Sequence, residues 1–349
     1  VGNFTSLHMH ENGALGIHGN FQNEGSFENN SGLTGFYREG GSLRIYGSRI
    51  PVLFDVEFSA EAGTWLEVPV EILNNANLIH GDLRTTRTRS EAYPLFTFDS
   101  FYTGESDVSK VDGYASIQNK SSFVFPVGWE DRIRPLTLES EAINARAQCA
   151  YFFENPQAVG TLGRSFKREN GQTGETLTVS TREFWKLEAG LPSKVTLTWD
   201  VLSSVSSLGR FLADLRVVGW NKTTEEWEDL GNTEVQGGRD YGSITSDTFL
   251  PDEYEIITLG GTDAVSETYD TVELDNYYLS PNGDGINEFL EIEGVEADPN
   301  NSIQIYNRNG QLVYSEDRYQ GGFQGIANVD MTVNRNKSPI NQSRWRRHA

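Results

Sequence analysis

The residues of this chain best placed to do chemistry are oxygen donors near residue 285. Ser280, Asn282, Asp284 and Glu291 fall at positions 1, 3, 5 and 12 of a loop with Gly285 at position 6, the spacing by which an EF-hand holds calcium. Asn282, Asp284 and Glu291 are therefore the candidate calcium ligands. The first position departs from the pattern, carrying Ser in place of Asp. The flanks depart as well, because Leu290 and Ile292 alternate with Glu291 and Glu293 as in a strand, and Asn287 stands where an apolar residue belongs. A turn through Pro281, Asn282, Gly283, Asp284 and Gly285 forms without metal, since Gly supplies positive φ and Asn or Asp caps its own backbone. The plain turn is the favoured reading, with calcium as the alternative.

Two further sets carry possible ligands or acids. His8 and His10 lie two apart and share one face of a strand, with His18 or His80 as partners from a neighbouring turn of chain. A surface pair with no ligand is the commoner state of such histidines. Glu57, Glu61, Glu67, Glu71 and Asp82 are the carboxylates that a glycosidase or polysaccharide lyase would need as a pair, at a separation of about 5 to 10 Å. Sequence brings no two of them together. The chain lacks a Gly-x-Ser-x-Gly elbow, a His-Glu-x-x-His zinc helix and a phosphate-cradling glycine loop. No catalytic site is expected. Trp185, Trp199, Trp220 and Trp227 could stack on sugars, but core packing is the expectation because large aromatics dominate burial in sandwiches.

The framework that must position these residues is rich in strands. With 349 residues, two or three domains are expected. Aromatics at 11%, 35 Gly and only 2 Met favour strands joined by tight turns over helical bundles. In residues 1–115 the unit Gly13-Ala-Leu-Gly-Ile-His-Gly19 returns as Gly41-Ser-Leu-Arg-Ile-Tyr-Gly47, then more loosely as Gly63-Thr-Trp-Leu-Glu-Val68 and Asn77-Leu-Ile-His-Gly81. Spacings of 28, 22 and 14 residues suit the rungs of a parallel β-solenoid, with the Asn20–Gly32 spacer forming further short rungs. A hairpin sandwich is the competing reading. Residues 116–261 carry short alternating strands such as Phe184–Glu188, Lys194–Trp199, Leu215–Trp220 and Tyr254–Leu259, the pattern of an Ig-like β-sandwich.

Charge narrows the partners. Lys and Arg number 28 against 50 Asp and Glu, and the net charge of −22 repels nucleic acid and anionic lipid. From Asp240 to Asn307 there are 16 acids and no Lys or Arg, which marks residues 262–273 as an acidic exposed linker. The single cysteine, Cys149, lies in the apolar run Ala147-Gln-Cys-Ala-Tyr-Phe-Phe153 and reads as a small buried hydrophobe. No run of 18 apolar residues exists to span a bilayer as a helix, and no charged and apolar leader opens the chain.

The segment Ser280-Pro-Asn-Gly-Asp-Gly-Ile-Asn-Glu288, followed by Asn301-Ser-Ile-Gln-Ile-Tyr-Asn-Arg-Asn-Gly-Gln-Leu-Val-Tyr314, resembles the gliding motility-associated C-terminal domain. That family is the type B sorting domain of type IX secretion in Bacteroidetes. The resemblance covers residues 274–336 and implies a small β-sandwich in which Ser280, Pro281, Asn282, Gly283, Asp284, Gly285, Asn287, Glu288, Tyr306, Asn307, Arg308 and Gly310 form the sorting motif. It also implies recognition by the translocon and by an outer-membrane protein of the PorP/SprF type, and a place on the cell surface or in the medium. Asn309-Gly310 is a type I′ hairpin pair, although the family usually has Trp where Asn309 stands. Residues 337–349 form a basic tail lacking the family's closing strands, and the expectation is an incomplete or altered domain end. Together these readings describe an all-β, non-enzymatic, adhesin-like or matrix-binding protein with an extracellular glycan or surface ligand. A carbohydrate-active enzyme, a glycan-binding module on the solenoid and a structural spacer are the alternatives.

Overall fold

The computed structural model describes residues 1–29, 31–167, 177–209, 211–262, 279–284, 288–290, 301–306, 312–319 and 321–329. The chain forms two compact units, Val1–Val265 and Ser266–Ala349. Strands hold 52% of it and helix 5%, so the protein is all-β, and its N-terminal part is a β-solenoid of about five turns.

Each turn of the solenoid runs along three faces. The first face carries the parallel strands Gly2–Asn3, Phe21–Asn23, Leu43–Gly47, Thr64–Leu66, Leu83–Arg84 and Val111–Asp112. The second begins with Ser6–Met9 and Ser26–Asn29, passes through the front halves of Val52–Ala60 and Val70–His80, and ends in Pro94–Thr97 and Tyr114–Gln118. Ala14–Ile17, Leu33–Arg38, the rear halves of the same two long strands and Phe101–Thr103 make the third. Glycine turns the corner between the third face and the first. Gly81 has φ +80°, and a Cβ there would sit 1.8 Å from the Ala60 carbonyl oxygen, so no side chain fits.

Inward side chains stack from rung to rung. Leu53, Ile72, Phe96 and Ile117 are register partners on the second face, as are Ile17, Phe36, Phe58 and Leu78 on the third. All eight are at most 1% exposed. The Phe36 and Phe58 rings lie 5.5 Å apart and 8° from parallel. Burial of each such side chain stabilises by roughly 1.5–3 kcal/mol, but only when a neighbouring rung covers it, which is why the coil must repeat. Polar residues in the stack are paired: Asn3 Nδ2 donates to Asn23 Oδ1 at 2.9 Å, and Asn23 Nδ2 donates to the Arg49 carbonyl at 3.1 Å.

The register corrects the repeat read from sequence. Gly13–Gly19 and Asn77–Gly81 lie on the third face, whereas Gly41–Gly47 and Gly63–Val68 lie on the first, so the four units are not successive rungs of one sheet. The partners on the first face run Gly2 to Gln22, Gln22 to Tyr46, Ile45 to Leu66, Thr64 to Leu83 and Leu83 to Val111, steps of 20, 24, 21, 19 and 28 residues. The Asn20–Gly32 spacer supplies Phe21–Asn23 and Ser26–Asn29, two faces of a single rung.

The last rung is also the first strand of the sandwich. Tyr114–Gln118 pairs parallel with Pro94–Thr97 on one side and antiparallel with Ala147–Phe152 on the other. From there the sheet continues antiparallel through Phe184–Ala189, Tyr254–Gly261, Leu215–Asn221 and Trp227–Asp229. Lys120–Phe125, Leu136–Asn144, Ser193–Trp199, Gly242–Thr245 and Glu234–Gly237 form the second layer. An open solenoid end would leave unpaired backbone donors and acceptors, and here the sandwich takes them up. One hydrophobic core runs from Ile17 to Leu259. Trp185, Trp199 and Trp220 are 0%, 2% and 4% exposed, so they are core and not a sugar platform, while Trp227 is half-buried.

Buried charges fix this junction. Lys110 is fully buried, and its Nζ donates to Asp82 Oδ1 at 2.9 Å, to the Asp107 carbonyl at 2.6 Å and to the Glu130 carbonyl, which uses all three protons. Within the sandwich, Arg134 Nε donates to Glu183 Oε2 at 3.2 Å and the guanidinium also pairs with Asp200. The Tyr151 hydroxyl donates to the same Glu183 oxygen at 2.5 Å.

Candidate functional site

The C-terminal unit builds its site on a hairpin. Alternating apolar residues make Ser302–Tyr306 and Leu312–Asp317 antiparallel strands, paired from Ser302 opposite Asp317 to Tyr306 opposite Leu312. Arg318, with φ +59°, reverses the chain after the second strand. Tyr319 and Phe323 then turn inward to join Ile305 and Val313, and these four buried side chains form the core of the unit among its described residues. The Phe323 ring lies 4.6 Å from that of Tyr314.

Two hydrogen bonds tie the turn segment to this core at Leu290, and a third links Phe323 to Tyr319 within it. The Phe323 N–H donates to the Tyr319 hydroxyl oxygen at 3.1 Å, the Tyr319 hydroxyl donates to the Leu290 carbonyl, and the Leu290 N–H donates to the Phe323 carbonyl at 2.9 Å. Leu279 and Leu290 both pack against the same apolar cluster. The motif between them is thus anchored at both ends. Asn328 closes the hairpin edge: the Ser315 N–H donates to its Oδ1 at 3.0 Å and its Nδ2 donates to the Ser315 carbonyl at 2.9 Å, as a paired strand would.

Between the anchors, Pro281, Asn282, Gly283 and Asp284 are exposed. Gly283 has φ +82°, and the Asp284 N–H donates to Asn282 Oδ1 at 3.0 Å, which is an Asx turn. Asn282 Nδ2 also donates to Asp284 Oδ2 at 2.8 Å. Two of the three candidate calcium ligands, Asn282 and Asp284, therefore bond each other across the turn, while Glu291 lies outside the described residues. Gly285, Asn287, Asn307, Arg308 and Gly310 lie outside them too, and so do most of the linker 262–273 and the tail 337–349. Ser280 and Glu288 flank the described parts of the motif, and Tyr306 ends the first strand. The chemistry on offer is recognition: a polar loop held on a small apolar base.

The other sequence-singled residues scatter. Glu57 lies on the third solenoid face, where it accepts the Tyr37 hydroxyl, whereas Glu67 pairs with Arg44 on the first. Asp82 is buried against Lys110, and burial raises its carboxyl above the ordinary range against the pull of that lysine. Glu71 stands on the second face, where burial likewise raises it, and Glu61 accepts the Gly40 N–H at a corner. His8 binds the Ser6 hydroxyl at 2.7 Å on the second face, while the His18 ring lies 5.5 Å from Tyr37 beside the third. His10 and His80 are exposed. Among the described residues no three His, Cys, Asp or Glu side chains converge where a metal ion would sit. No helix among them is long and apolar enough to cross a membrane.

Sequence reasoning did not single out Tyr319, Phe323 or Asn328. The signal available was Tyr319-Gln-Gly-Gly-Phe323, two aromatics separated by glycines directly after a strand.

Residues 272–339 match the family described as the CHU_C type IX secretion signal domain. The resemblance of this segment to a type B sorting domain is thereby borne out, and the domain marks the chain for export to the cell surface or the medium. No curated protein and no solved structure matches the chain.

Proposed function

We propose that the unit Val1–Val265 is cargo that works outside the cell as a non-enzymatic, adhesin-like binding protein, delivered there by the type IX secretion signal domain at residues 272–339. The observation that carries this reading is the division of the chain into two compact units, the type IX secretion signal segment falling in the second and the first being a solenoid closed by a sandwich. Such a body presents solvent-facing sheet surfaces, and Glu57, Glu61, Glu67, Glu71 and Asp82 are spread over its faces and corners instead of converging on one cleft. The machinery that reads the sorting unit includes a translocon, and an outer-membrane protein of the PorP/SprF type is the expected receptor for the Asn282–Asp284 turn.

Deletion of residues 272–349 tests delivery. The truncated protein is expected to stay inside the cell, and secretion at the full-length level without those residues would defeat the proposal. Binding of the secreted protein to whole cells and to extracellular matrix tests adhesion. Saturable binding supports it, whereas turnover of a polysaccharide lost on substitution of a carboxylate would make the body an enzyme, and no binding to any surface would make it a spacer.

A further inference from the structure

We infer that the outer surface of the third solenoid face binds a linear, neutral oligosaccharide running along the solenoid axis, with Tyr37 as its principal stacking platform. The inference rests on the adhesin-like reading and names its ligand.

The surface is built around a ring held over the sheet. Gly16 and Gly35 are register partners on adjacent strands, and they leave the sheet bare where other residues would raise a side chain. A Cβ on Gly35 would lie 2.1 Å from the Tyr37 ring, so the ring occupies that space directly above the backbone. Its hydroxyl reaches one strand over to Glu57 Oε2. Tyr37 is thus held at both ends with its ring over Gly35; the side chain is partly buried, the His18 ring lies 5.5 Å away at a tilt of 36°, and what remains faces solvent. An aromatic face presented in this way matches the apolar face of a pyranose, and its ordering cost is already met in the free protein.

Beyond the ring the same column continues through polar groups. Gly35 is opposite Glu57, Glu57 opposite Asn77, and Asn77 opposite Thr103. In the adjoining column Asp55 is opposite Asn75 and Asn75 opposite Phe101, which is 48% exposed. Carboxylates, amides and a hydroxyl therefore recur at each strand step of about 4.8 Å, a rise comparable to the length of one sugar unit. Tyr37 and Phe101 stand on strands three steps apart, roughly 14 Å, so they bracket a run of about three sugars. Planar carboxylate and amide groups accept from and donate to sugar hydroxyls. Glu57 and Asp55 put negative charge on both columns, with no Lys or Arg at these register positions, which turns away uronates and sulfated chains. That charge selects neutral sugars.

The test is calorimetric titration of the full-length protein with neutral linear gluco-, xylo- and manno-oligosaccharides of two to six units, with polygalacturonate as the anionic control. Affinity is expected to rise with chain length and level off at about four units for at least one series. Tyr37→Ala is expected to weaken binding tenfold or more and Phe101→Ala several-fold, while Tyr37→Trp keeps it. Thermal melts of each variant separate lost binding from lost fold. The sandwich has a groove of about 640 Å³ lined by Lys186, Lys222 and Glu255 among others, so Lys186→Ala is the counter-variant and should leave affinity unchanged. No saturable binding to any neutral series, preference for polygalacturonate, or loss with Lys186→Ala but not with folded Tyr37→Ala would overturn the inference. If the protein still binds cells while these sugars fail, the glycan assignment falls and adhesion stands. Cleavage of the sugars would instead overturn the non-enzymatic reading.

Discussion

The body and the sorting unit solve the same problem, burying the inner side of short strands, by opposite means. In the body, each inward residue is covered by its register partners above and below, so Phe58 lies between Phe36 and Leu78 in a column that needs no special contacts. In the sorting unit, the described core is four side chains on one hairpin and its return loop, and a two-stranded hairpin is marginal by itself. Its order depends on specific polar ties, namely Tyr319 to Leu290, Phe323 to Tyr319 and Asn328 to Ser315. Repetition makes the first tolerant of sequence along its outer faces. The second keeps a precise small surface by spending particular residues on it.

That contrast can be broken by mutation because the chain carries its own reporter. Cys149 is the single cysteine, lies in the body and is fully buried, and burial pushes its thiol well above the ordinary range. Its alkylation therefore reports opening of the body alone. A large effect is expected at Lys110. Lys110→Ala strips Asp82 of its buried cation and leaves only the more distant, part-exposed Arg84 at 3.8 Å, so it should destabilise the body by about 3 kcal/mol, seen as a fall in the urea midpoint and faster alkylation of Cys149. The double variant Lys110→Met with Asp82→Leu should regain most of that loss. If the single variant melts like the parent, the junction does not depend on this pair.

Phe58→Ala is of the same order, at about 3–5 kcal/mol for a cavity in a packed column, again with faster alkylation of Cys149. Tyr319→Ala is the matched change in the sorting unit. It removes a buried ring and two hydrogen bonds, so export is expected to drop sharply while the main melting transition and the alkylation rate of Cys149 stay at parental values. A shift of both regions by either variant would mean that the two units are not energetically separate.

How much of this was legible in the sequence follows from the same contrast. The all-β class, the solenoid, the core role of Trp185, Trp199 and Trp220 and the C-terminal resemblance were readable, because alternation and short motifs are local. The rung register was not. Val52–Ala60 and Val70–His80 each run across two faces without a break, so the corner that would have marked the third face leaves no turn signal. The steps of 19 to 28 residues also let strands of different faces look alike. The seat of Tyr37 was hidden for a related reason, since Gly35 reads as a weak strand residue until its register partner Gly16 and the ring above it are seen. In the sorting unit, Tyr319 and Asn328 act through contacts with Leu290 and Ser315 that no periodicity encodes.

The smallest effect compares one chemistry placed in both regions. Tyr37 donates to Glu57 in the body and Tyr314 donates to Glu316 in the sorting unit. Each phenol is pushed up to about 12, first by burial and then by its carboxylate partner. The unfolded phenol titrates near 10, so between pH 10 and 12 the folded chain keeps a proton that the unfolded chain has released. The unfolded state binds fewer protons there, and stability must fall as pH rises through that window. Below pH 10 the contribution is fully present. Tyr37→Phe should therefore flatten the alkaline loss of stability read by Cys149 alkylation, whereas Tyr314→Phe should leave that curve unchanged and alter only the alkaline limb of sorting-unit order. Difference titration of phenolate absorbance should show one late-titrating tyrosine missing in each variant. Should Tyr314→Phe flatten the Cys149 curve as much as Tyr37→Phe does, the sorting unit and the body share one cooperative transition and the contrast between them collapses.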